Sequence, residues 1–455
     1  MSDLLSLLHL GSAALSAQHG GASVAANNAA NVNTLGYSRQ RVDLRAELAA
    51  PEVGGVRSLS PTRVADELLA RRGRGAQAAL GYSRTLAPAL ADLEARLARS
   101  GPPIEDTLSA LFAGLQRVAA MPTDSMMRAS AVDAARGVAA ALRGRAGETQ
   151  AARTDADARI RDGAKAATAL TGEIAALNKA IRMSSDPVLR DRREVAASKL
   201  ADLMGGSGRI DPDGQLRWVL PDGAVLVDGD RAATVATSTD ASTGFCRVEI
   251  VDGAARRDVT VTLSGGSLAA ELELRDVDGA AAAARLDQFA FDLSSTMNSI
   301  HAANAGLDGA TGRNLFGPAA TVTGAAAAID VDPAIAADPR LLAAGAPGSG
   351  AGDNRGALAL IALRDQAIAS GGTQTLGDAA IALLGDVGTR AAEAGDAAER
   401  DTVIDEHLAG LRDSLSGVDL QEELAKLVHF QHASEAMTRF LSTIDGMLED
   451  LLGRL

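Results

Sequence analysis

Small or apolar residues recur at alternating spacings of four and three at both ends of the chain, and this pattern constrains its fold most. At the N-terminal end the positions are Leu4, Leu8, Gly11, Leu15, Gln18, Ala22, Ala25, Ala29 and Val32. At the C-terminal end they are Leu427, Phe430, Ser434, Met437, Leu441, Ile444, Leu448, Leu451 and Leu455. Such spacing is typical of helices that pack along a seam, so we expect the two ends to pair as a coiled coil. An amphipathic core helix in an ordinary bundle would also account for the C-terminal pattern.

The N-terminal stripe consists largely of alanine and glycine. These residues permit a close backbone approach but bury little apolar area. Pairing with such a stripe stabilises the C-terminal helix less than the ordering of its backbone costs. We therefore predict that both ends are poorly ordered in the monomer and fold when subunits pack together.

Composition narrows the class of protein. The 455 residues carry a net charge of −14, which argues against a nucleic-acid-binding role because such proteins present basic surfaces to phosphate. Apolar residues make up 47% of the chain but aromatic residues only 2%, a balance that favours long, closely packed helices. No apolar run is long enough to span a membrane, and the first basic residue is Arg39. We therefore expect neither membrane insertion nor a cleavable secretory signal.

The middle of the chain shows helical spacing on both sides of a β-rich interval. Helical stripes cover residues 86–97, 104–118, 160–181 and 286–300, as expected for segments of a bundle. Between about 205 and 275, short runs rich in β-branched residues flank turn signals instead. The first pair of runs surrounds Pro221-Asp222-Gly223, and the second pair, residues 247–251 and 259–263, surrounds Asp252-Gly253. The first pair predicts a β-hairpin, and the second pair predicts two further strands.

The predicted fold class is mainly α with a β-rich insert. We expect an elongated rod that contains the paired terminal helices, a helical bundle and a small β domain. The predicted divisions are 1–50 and 415–455 for the two parts of the terminal coiled coil, 51–204 and 285–414 for the two parts of the helical bundle, and 205–284 for the β-rich insert.

Two motifs near opposite ends of the chain carry a family resemblance. The run from Asn27 to Gln40 (NNAANVNTLGYSRQ) resembles the N-terminal motif of flagellar rod, hook and hook-associated proteins. The run from Ser416 to Leu424 (SGVDLQEEL), with the later Phe430-Gln431, resembles the closing motif of the hook-associated members. Internal similarity extends to Gly265–Leu268 and Gly352–Arg355. Because the two end motifs occur in the right order, the chain resembles the flagellar axial proteins.

The resemblance implies a structural role, as an adaptor layer that joins the flagellar hook to the filament and is required for filament assembly. It implies a homo-oligomer in a tubular layer, which contacts the hook protein and a second hook-filament junction protein. It also implies export by the flagellar type III apparatus to the extracellular flagellum, with a cytosolic export chaperone on the C-terminal region. Nucleic acid and membrane insertion have no part in this role.

The residues expected to act in this role belong to the two stripes and to the N-terminal motif. The predicted assembly interface consists of apolar stripe residues, namely Leu4, Leu8, Leu15, Val32, Leu427, Phe430, Leu441, Ile444, Leu448 and Leu451. The turn after the first helix is expected to be shaped and anchored by Asn31, Gly36, Tyr37 and Arg39.

Two other classes of role share some of these features. Another flagellar axial protein, of the rod, the hook or the filament side of the junction, would carry the same end motifs. A cytosolic coiled-coil scaffold would carry the same stripes. The position at which flagellar assembly stops in a strain that lacks this protein would distinguish a junction adaptor from another axial protein. Absence of the protein from purified flagella would favour the cytosolic scaffold.

Candidate chemical sites fail on spacing. His429 and His432 lie three residues apart but lack the further ligands of a stable metal site. Asp211–Gly214 and Asp276–Gly279 resemble the start of a calcium loop without its closing glutamate, and we expect both to be turns. Cys246 is expected to be a buried thiol in a strand, and Glu422-Glu423 to lie at a solvated helix start. We therefore expect no metal, no cofactor and no enzymatic activity.

Overall fold

The computed structural model of the protein describes residues 2–34, 36–47, 55–58, 60–184 and 186–453. Long helices dominate these ranges, as the sequence predicts. The helices are α1 (Ser2–Ala30), α2 (Glu67–Arg99), α3 (Ile104–Ala120), α4 (Ser125–Met183), α5 (Pro187–Met204), α6 (Gly266–Glu273), α7 (Gly279–Ala303), α8 (Ala325–Ala328), α9 (Pro333–Ala337), α10 (Arg355–Ala362), α11 (Leu376–Ser416) and α12 (Leu420–Leu452).

Local sequence signals account for the ends of the central helices. The Asp124 side chain caps α4 by accepting hydrogen bonds from the backbone N–H groups of Met126 and Met127, which a helix start otherwise leaves unpaired. The same helix ends at Met183, and Ser184 is its C-cap residue. Asp186 then caps α5, whose first residue is Pro187, a position at which the missing proline N–H has no cost.

The strands form small antiparallel sheets. Between α5 and α6 a four-stranded sheet is followed by a three-stranded sheet, with neighbouring strands consecutive in the chain. The strands of the first sheet are β5 (Ser207–Ile210), β6 (Leu216–Val219), β7 (Val225–Asp228) and β8 (Arg231–Ala232); those of the second are β9 (Thr234–Thr239), β10 (Cys246–Asp252) and β11 (Ala255–Asp258). They follow four strands that lie between α1 and α2, namely β1 (Gln40–Arg41), β2 (Leu44–Glu47), β3 (Gly55–Ser58) and β4 (Thr62–Arg63).

The structure confirms the predicted hairpin and corrects the last of the predicted strands. Strands β6 and β7 pair across the turn at residues 221–223, as predicted. Strand β10 pairs with β11, which ends at Asp258, so residues 259–263 are not a strand. The β-branched run misled the prediction because Val259 packs into the core from a turn, where it is fully buried. The boundaries predicted for the β-rich insert stay a prediction.

The four short strands β1 to β4 between α1 and α2 were not predicted. Strand β1 pairs with β4, and β2 pairs with β3. Each pair is too short to give a clear alternating pattern, so periodicity does not detect it.

Two apolar clusters hold the described part of the chain together. One lies among α2, α3, the first half of α4, α7 and α10, with the start of α11. The other lies where the second half of α4 and α5 meet the sheets of the insert, around the fully buried Trp218. Because α4 contributes to both clusters, this 59-residue helix joins the bundle to the insert.

The segment between α7 and α10 is mostly irregular and contains the short helices α8 and α9. One expected turn is also wrong, because Asp276–Gly279 lies in a continuous helical stretch, in which a π-helical turn over Leu274–Asp278 connects α6 to α7. The other, at Asp211–Gly214, is confirmed, since the Gly214 N–H donates to the Asp211 carbonyl. Within the described ranges, no helix is long and apolar enough to cross a membrane.

Candidate functional site at the meeting point of the chain ends

The two terminal helices lie against each other. A Cβ atom built on Gly11 would lie 2.7 Å from the Leu441 side chain, and one built on Gly21 would lie 2.5 Å from the Phe430 ring. A methyl group at either position would displace the facing side chain. At Gly11 this is the close approach that the small residues of the N-terminal stripe predict. The contact agrees with the expected pairing of the ends, while a regular coiled-coil geometry stays a prediction.

The apolar residues expected in the interface lie mainly on the face where α1 and α12 meet. Those that are half-buried are Leu4, Leu8, Leu15, Leu427, Phe430, Leu441 and Leu448. Ile444 is buried, at 3% exposure. Leu451 is 43% exposed, and Val32 lies past the end of α1 at 37% exposure. Leu455 lies outside the described residues.

The helix pair leaves other apolar side chains in solvent. Leu5, Leu424, Val428 and Met447 are each about half exposed. Single exposed apolar residues are ordinary, whereas a row of them along two helices marks a surface that associates with something else. One chain alone therefore covers only part of the apolar surface of its terminal helices.

A buried polar cluster closes the inner end of the pair, with Asn28 at its centre. The Asn28 amide donates to the Gln40 carbonyl (2.8 Å) and to Glu423 Oε2 (3.0 Å). Its oxygen accepts from the Tyr37 hydroxyl (2.8 Å) and from the Gln40 N–H (2.9 Å). Asn28 is fully buried, and these four bonds satisfy its amide. The N-terminal motif and the C-terminal motif therefore meet through one side chain.

Arg39 adds an ionic contact to this cluster. Its guanidinium donates to Glu423 Oε1 at 2.9 Å and also to Glu422. Lys426 contacts both glutamates from the same helix, at 2.9 and 3.0 Å. Burial alone would lower the pKa of Arg39, but hydrogen bonds and charge from the two glutamates raise it above its usual value. The guanidinium therefore stays charged in this cluster.

The expectation of a solvated Glu422-Glu423 pair is wrong for Glu423. Glu423 is 1% exposed, because Asn28, Arg39 and Lys426 surround its carboxylate. Glu422 is exposed, as expected. Sequence reasoning missed Asn28 and Glu423 as site residues, and the only available signal was that each lies inside an end motif.

The turn after α1 contains the four motif residues that the sequence singles out. Asn31 donates to the Asn27 carbonyl (2.9 Å) and accepts from the Thr34 hydroxyl (3.1 Å), which closes the helix end. Gly36 has φ +79°, and a Cβ atom there would lie 2.3 Å from Val195 on α5. Only glycine fits this position, both for its backbone conformation and for its space.

Tyr37 and Ser38 face a buried carboxylate on α5. The Ser38 N–H donates to Asp191 Oδ2 (3.1 Å), and Arg63 lies 3.5 Å from Asp191 Oδ1. Burial raises the pKa of Asp191 above its ordinary value. Burial, with the charges of Asp191 and Glu423, raises the pKa of Tyr37 to about 12, so its hydroxyl remains a hydrogen-bond donor to Asn28.

Backbone hydrogen bonds also connect this polar cluster to the helical bundle. The Arg39 N–H donates to the carbonyl of Ser416, the last residue of α11 (2.9 Å), and the Val64 N–H donates to the Arg39 carbonyl (2.8 Å). The motif therefore contacts α5, α11 and α12 within a few residues. We call the set Asn28, Gly36, Tyr37, Ser38, Arg39, Asp191 and Glu423 the joint.

The side chains of this arrangement make contacts that hold the two ends of the chain together. His429 and His432 are exposed, and in the described part of the chain no group of three or more His, Cys, Asp or Glu residues is placed to hold a metal. Cys246 is 1% exposed, as expected, and burial with the neighbouring Asp157 raises its thiol pKa to about 11. Long helices, two joined ends and a partly uncovered apolar seam define a structural protein that acts through its surfaces.

Comparisons with known proteins show which structural proteins this chain resembles. The family model described as "Flagellar hook-associated protein FlgK helical domain" matches residues 90–316. Flagellar hook-associated protein 1 of Bacillus subtilis (strain 168) is 26% identical over 491 residues, which cover 96% of this chain and 96% of that protein. The protein of the same name from Escherichia coli (strain K12) is 27% identical over 126 residues, covering 28% of this chain and 23% of that one.

A solved structure agrees in fold. "The structure of the flagellar hook junction protein FlgK from Burkholderia pseudomallei" superposes with a TM-score of 0.69 at 16% identity, covering 76% of this chain and all of that one. The chain belongs to the family of flagellar hook-associated protein 1. It is therefore a structural component of the bacterial flagellum.

Proposed function

We propose that the protein is the adaptor at the hook-filament junction, that it polymerises through its terminal helices, and that filament assembly requires it. The observation that carries this proposal is the joint, in which Asn28 and Arg39 of the N-terminal motif contact Glu423 of the C-terminal motif. Since the same cluster contacts α5 and α11, it fixes where the terminal pair leaves the bundle. A subunit in a tubular layer needs such a fixed direction to repeat the same contacts with its neighbours.

The partly exposed seam supports the polymerisation step. Leu424, Val428 and Met447 are about half exposed on α12, and copies of the chain would cover them in a tubular layer. We propose the ten apolar seam residues named above as the assembly interface. The layer would contact the hook protein on one side and a second hook-filament junction protein on the other.

Export belongs to the same proposal. The subunit would leave the cytoplasm through the flagellar type III apparatus and function outside the cell, with no role as an enzyme. Before export, an exposed apolar seam is an association hazard. A cytosolic chaperone that covers the C-terminal region would remove this hazard.

The test is a double substitution, Leu441→Asp with Leu448→Asp, introduced into a strain that lacks the wild-type chain. Both side chains are half-buried on the α12 face that meets α1, so two carboxylates there oppose seam packing. We expect loss of filaments, while the fluorescence of the buried Trp218 shows that the insert remains folded. Val261→Asp is the matched control, because Val261 is 93% exposed far from the seam in sequence.

Immuno-electron microscopy of isolated hook-filament junctions provides the direct readout. Antibody against the wild-type chain or the control variant should label one band at the junction. Labelling along the whole filament or on the rod would assign the chain to another place in the axial structure. Normal filaments from the double variant would contradict polymerisation through the seam.

A further inference from the structure

His301, near the C-terminal end of α7, is fully buried and lies between two loop stretches. Its Nδ1 atom lies 2.7 Å from the Arg313 carbonyl oxygen. Its Nε2 atom accepts a hydrogen bond from the Ala343 N–H at 2.9 Å. The imidazole therefore joins α7 to residues 312–316 on one side and to residues 342–345 on the other, and we call these two stretches the clasp.

The two contacts fix the charge state of the ring. A carbonyl oxygen can only accept, so Nδ1 carries the proton; a backbone N–H can only donate, so Nε2 carries none. Only the neutral Nδ1–H tautomer satisfies both partners. A protonated ring would point a second N–H at the Ala343 N–H, and the contact would turn from attraction to repulsion.

Few other groups can replace the hydrogen bond of the Ala343 N–H once it is lost. Leu342, Ala343 and Ala344 are 1–2% exposed, so water does not replace a lost partner there without an opening of the structure. A short antiparallel bridge joins Ala305 to Gly345. Residues 342–345 therefore open together, or the imidazole stays neutral.

The charged groups around the ring do not stabilise its protonated form overall. Arg313, whose guanidinium pairs with Asp308, opposes protonation by its charge, while Asp332 and the Arg313 carbonyl favour it. From α4, Arg128 donates to the Leu342 carbonyl, one residue before Ala343. Burial is the largest influence and lowers the pKa of His301 below its ordinary value.

We propose that His301 makes the clasp an acid-sensitive lock: the neutral ring holds residues 342–345 against α7 through the Ala343 N–H, and protonation releases them. Residues 312–316 keep the Nδ1–H bond to the Arg313 carbonyl and the two bonds between Phe316 and Asn298 of α7. The proposal concerns the segment between α7 and α10 and does not depend on the terminal seam. In mild acid the surface of the bundle would thus change shape locally, while α4 and the insert stay folded.

The direction of the pH effect follows from the depressed pKa. An unfolded histidine takes up its proton near pH 6.5, and the folded one does so only at lower pH. Between these two values the open form binds more protons than the closed form, so the closed clasp loses stability as the pH falls. The equilibrium constant for opening should rise about tenfold per pH unit across that interval.

The test is amide hydrogen exchange of the full chain at pH 7.5 and pH 5.0, expressed as protection relative to the intrinsic exchange rate at each pH. We expect protection of residues 342–345 to fall at pH 5.0, by at most about thirtyfold, the limit set by an open-state pKa near 6.5, with α4 unchanged as the internal reference. In the variant His301→Gln, whose amide can donate and accept but does not titrate, the fall should disappear. His432→Gln removes an exposed histidine and should keep the wild-type response.

Nitrogen NMR of the imidazole rings in the wild-type chain keeps the test decisive if His301→Gln does not fold. The Nδ1–H tautomer at pH 7.5, and its loss together with the protection of Ala343, support the lock. The Nε2–H tautomer would overturn it. So would protonation of His301 with the clasp still protected, or an unchanged acid response in a folded His301→Gln variant.

Discussion

Asn28 shows how one side chain can join parts of the chain that lie far apart in sequence. Its amide contacts Gln40, twelve residues away, and Glu423, 395 residues away. A buried amide with all its partners stabilises a single arrangement, whereas the same amide without them is costly to bury. The sequence does not distinguish Asn28 from Asn33 in the same cluster, because their difference arises only when the C-terminal helix is in place.

The first prediction concerns Asn28→Ala. The substitution removes four hydrogen bonds, including those to Glu423 Oε2 and to the Gln40 backbone, so we expect the folded terminal pair to lose roughly 2–4 kcal/mol. The measurement is helix content during titration with trimethylamine oxide, which favours burial; the variant should need more of it to order its ends. Asn33→Ala is the control, since Asn33 is exposed, and an equal shift in both variants would contradict the role given to Asn28.

Asp157 joins α4 to the insert in a similar way. Its carboxylate accepts from the Cys246 N–H (2.7 Å) and from the Arg275 guanidinium (2.6 Å). Burial alone would raise the pKa of this carboxyl, but these hydrogen bonds, with those from the Cys246 thiol and Arg161, lower it to about 2. The carboxylate is thus held ionised beside Cys246, the first residue of β10 in the insert.

This depressed pKa predicts an acid-dependent stability of the insert. Because the folded carboxyl protonates near pH 2 and the unfolded one near pH 4, its contribution is complete above pH 4 and is lost as the pH falls toward 2. In Asp157→Asn we expect a loss of about 2 kcal/mol at pH 7 and a flatter profile between pH 4 and 2. Urea unfolding followed by Trp218 fluorescence measures both. The exposed Asp162→Asn should behave as wild type, and a wild-type profile for Asp157→Asn would refute the assignment.

At the scale of elements, the sequence predicts long helices well and short strands poorly. Stripes such as 104–118 mark α3 because a helix of several turns repeats its apolar face several times. Strand β11, with four exposed residues, shows no such repeat, whereas the buried Val259 after it resembles a strand residue. The seam was predicted from periodicity alone, but the joint depends on tertiary contacts that no local pattern encodes.

The glycines of α1 give a prediction at this scale. In Gly21→Ala the added methyl would meet three atoms of the Phe430 ring within 2.9 Å, so the ring must move and the packing of α12 against α1 is disturbed. We expect less ordering of the ends in the same trimethylamine oxide titration and fewer filaments in cells. Gly446→Ala is the matched control: nothing lies within 4 Å of its added methyl, and alanine favours a helix by about 1 kcal/mol over glycine. Equal effects of the two substitutions would argue against close packing at Gly21.

At the scale of the whole molecule, stability is unevenly distributed. The bundle and the insert contain the two large apolar clusters, and neither cluster includes α1 or α12. Within the described chain, the terminal pair has few buried apolar residues, among them Ala17, Val24, Ala25 and Ile444. A region with so few buried contacts opens at low cost in free energy compared with a packed core. We therefore expect the monomer to combine a stable centre with ends that order only against neighbouring copies.

The prediction at this scale is that the ends order on assembly. In the monomer, the amides of α1 and α12 should exchange far faster than those of α4, since the half-exposed Leu424, Val428 and Met447 contribute little to holding the helices folded. In isolated hook-filament junctions the same amides should become protected, because neighbouring copies then cover these side chains. Hydrogen exchange with mass spectrometry on both samples makes the comparison, with α4 as the reference in each. Protection of α1 and α12 equal to that of α4 in the monomer would mean that one chain alone stabilises its ends, and the link between folding and assembly would then be wrong.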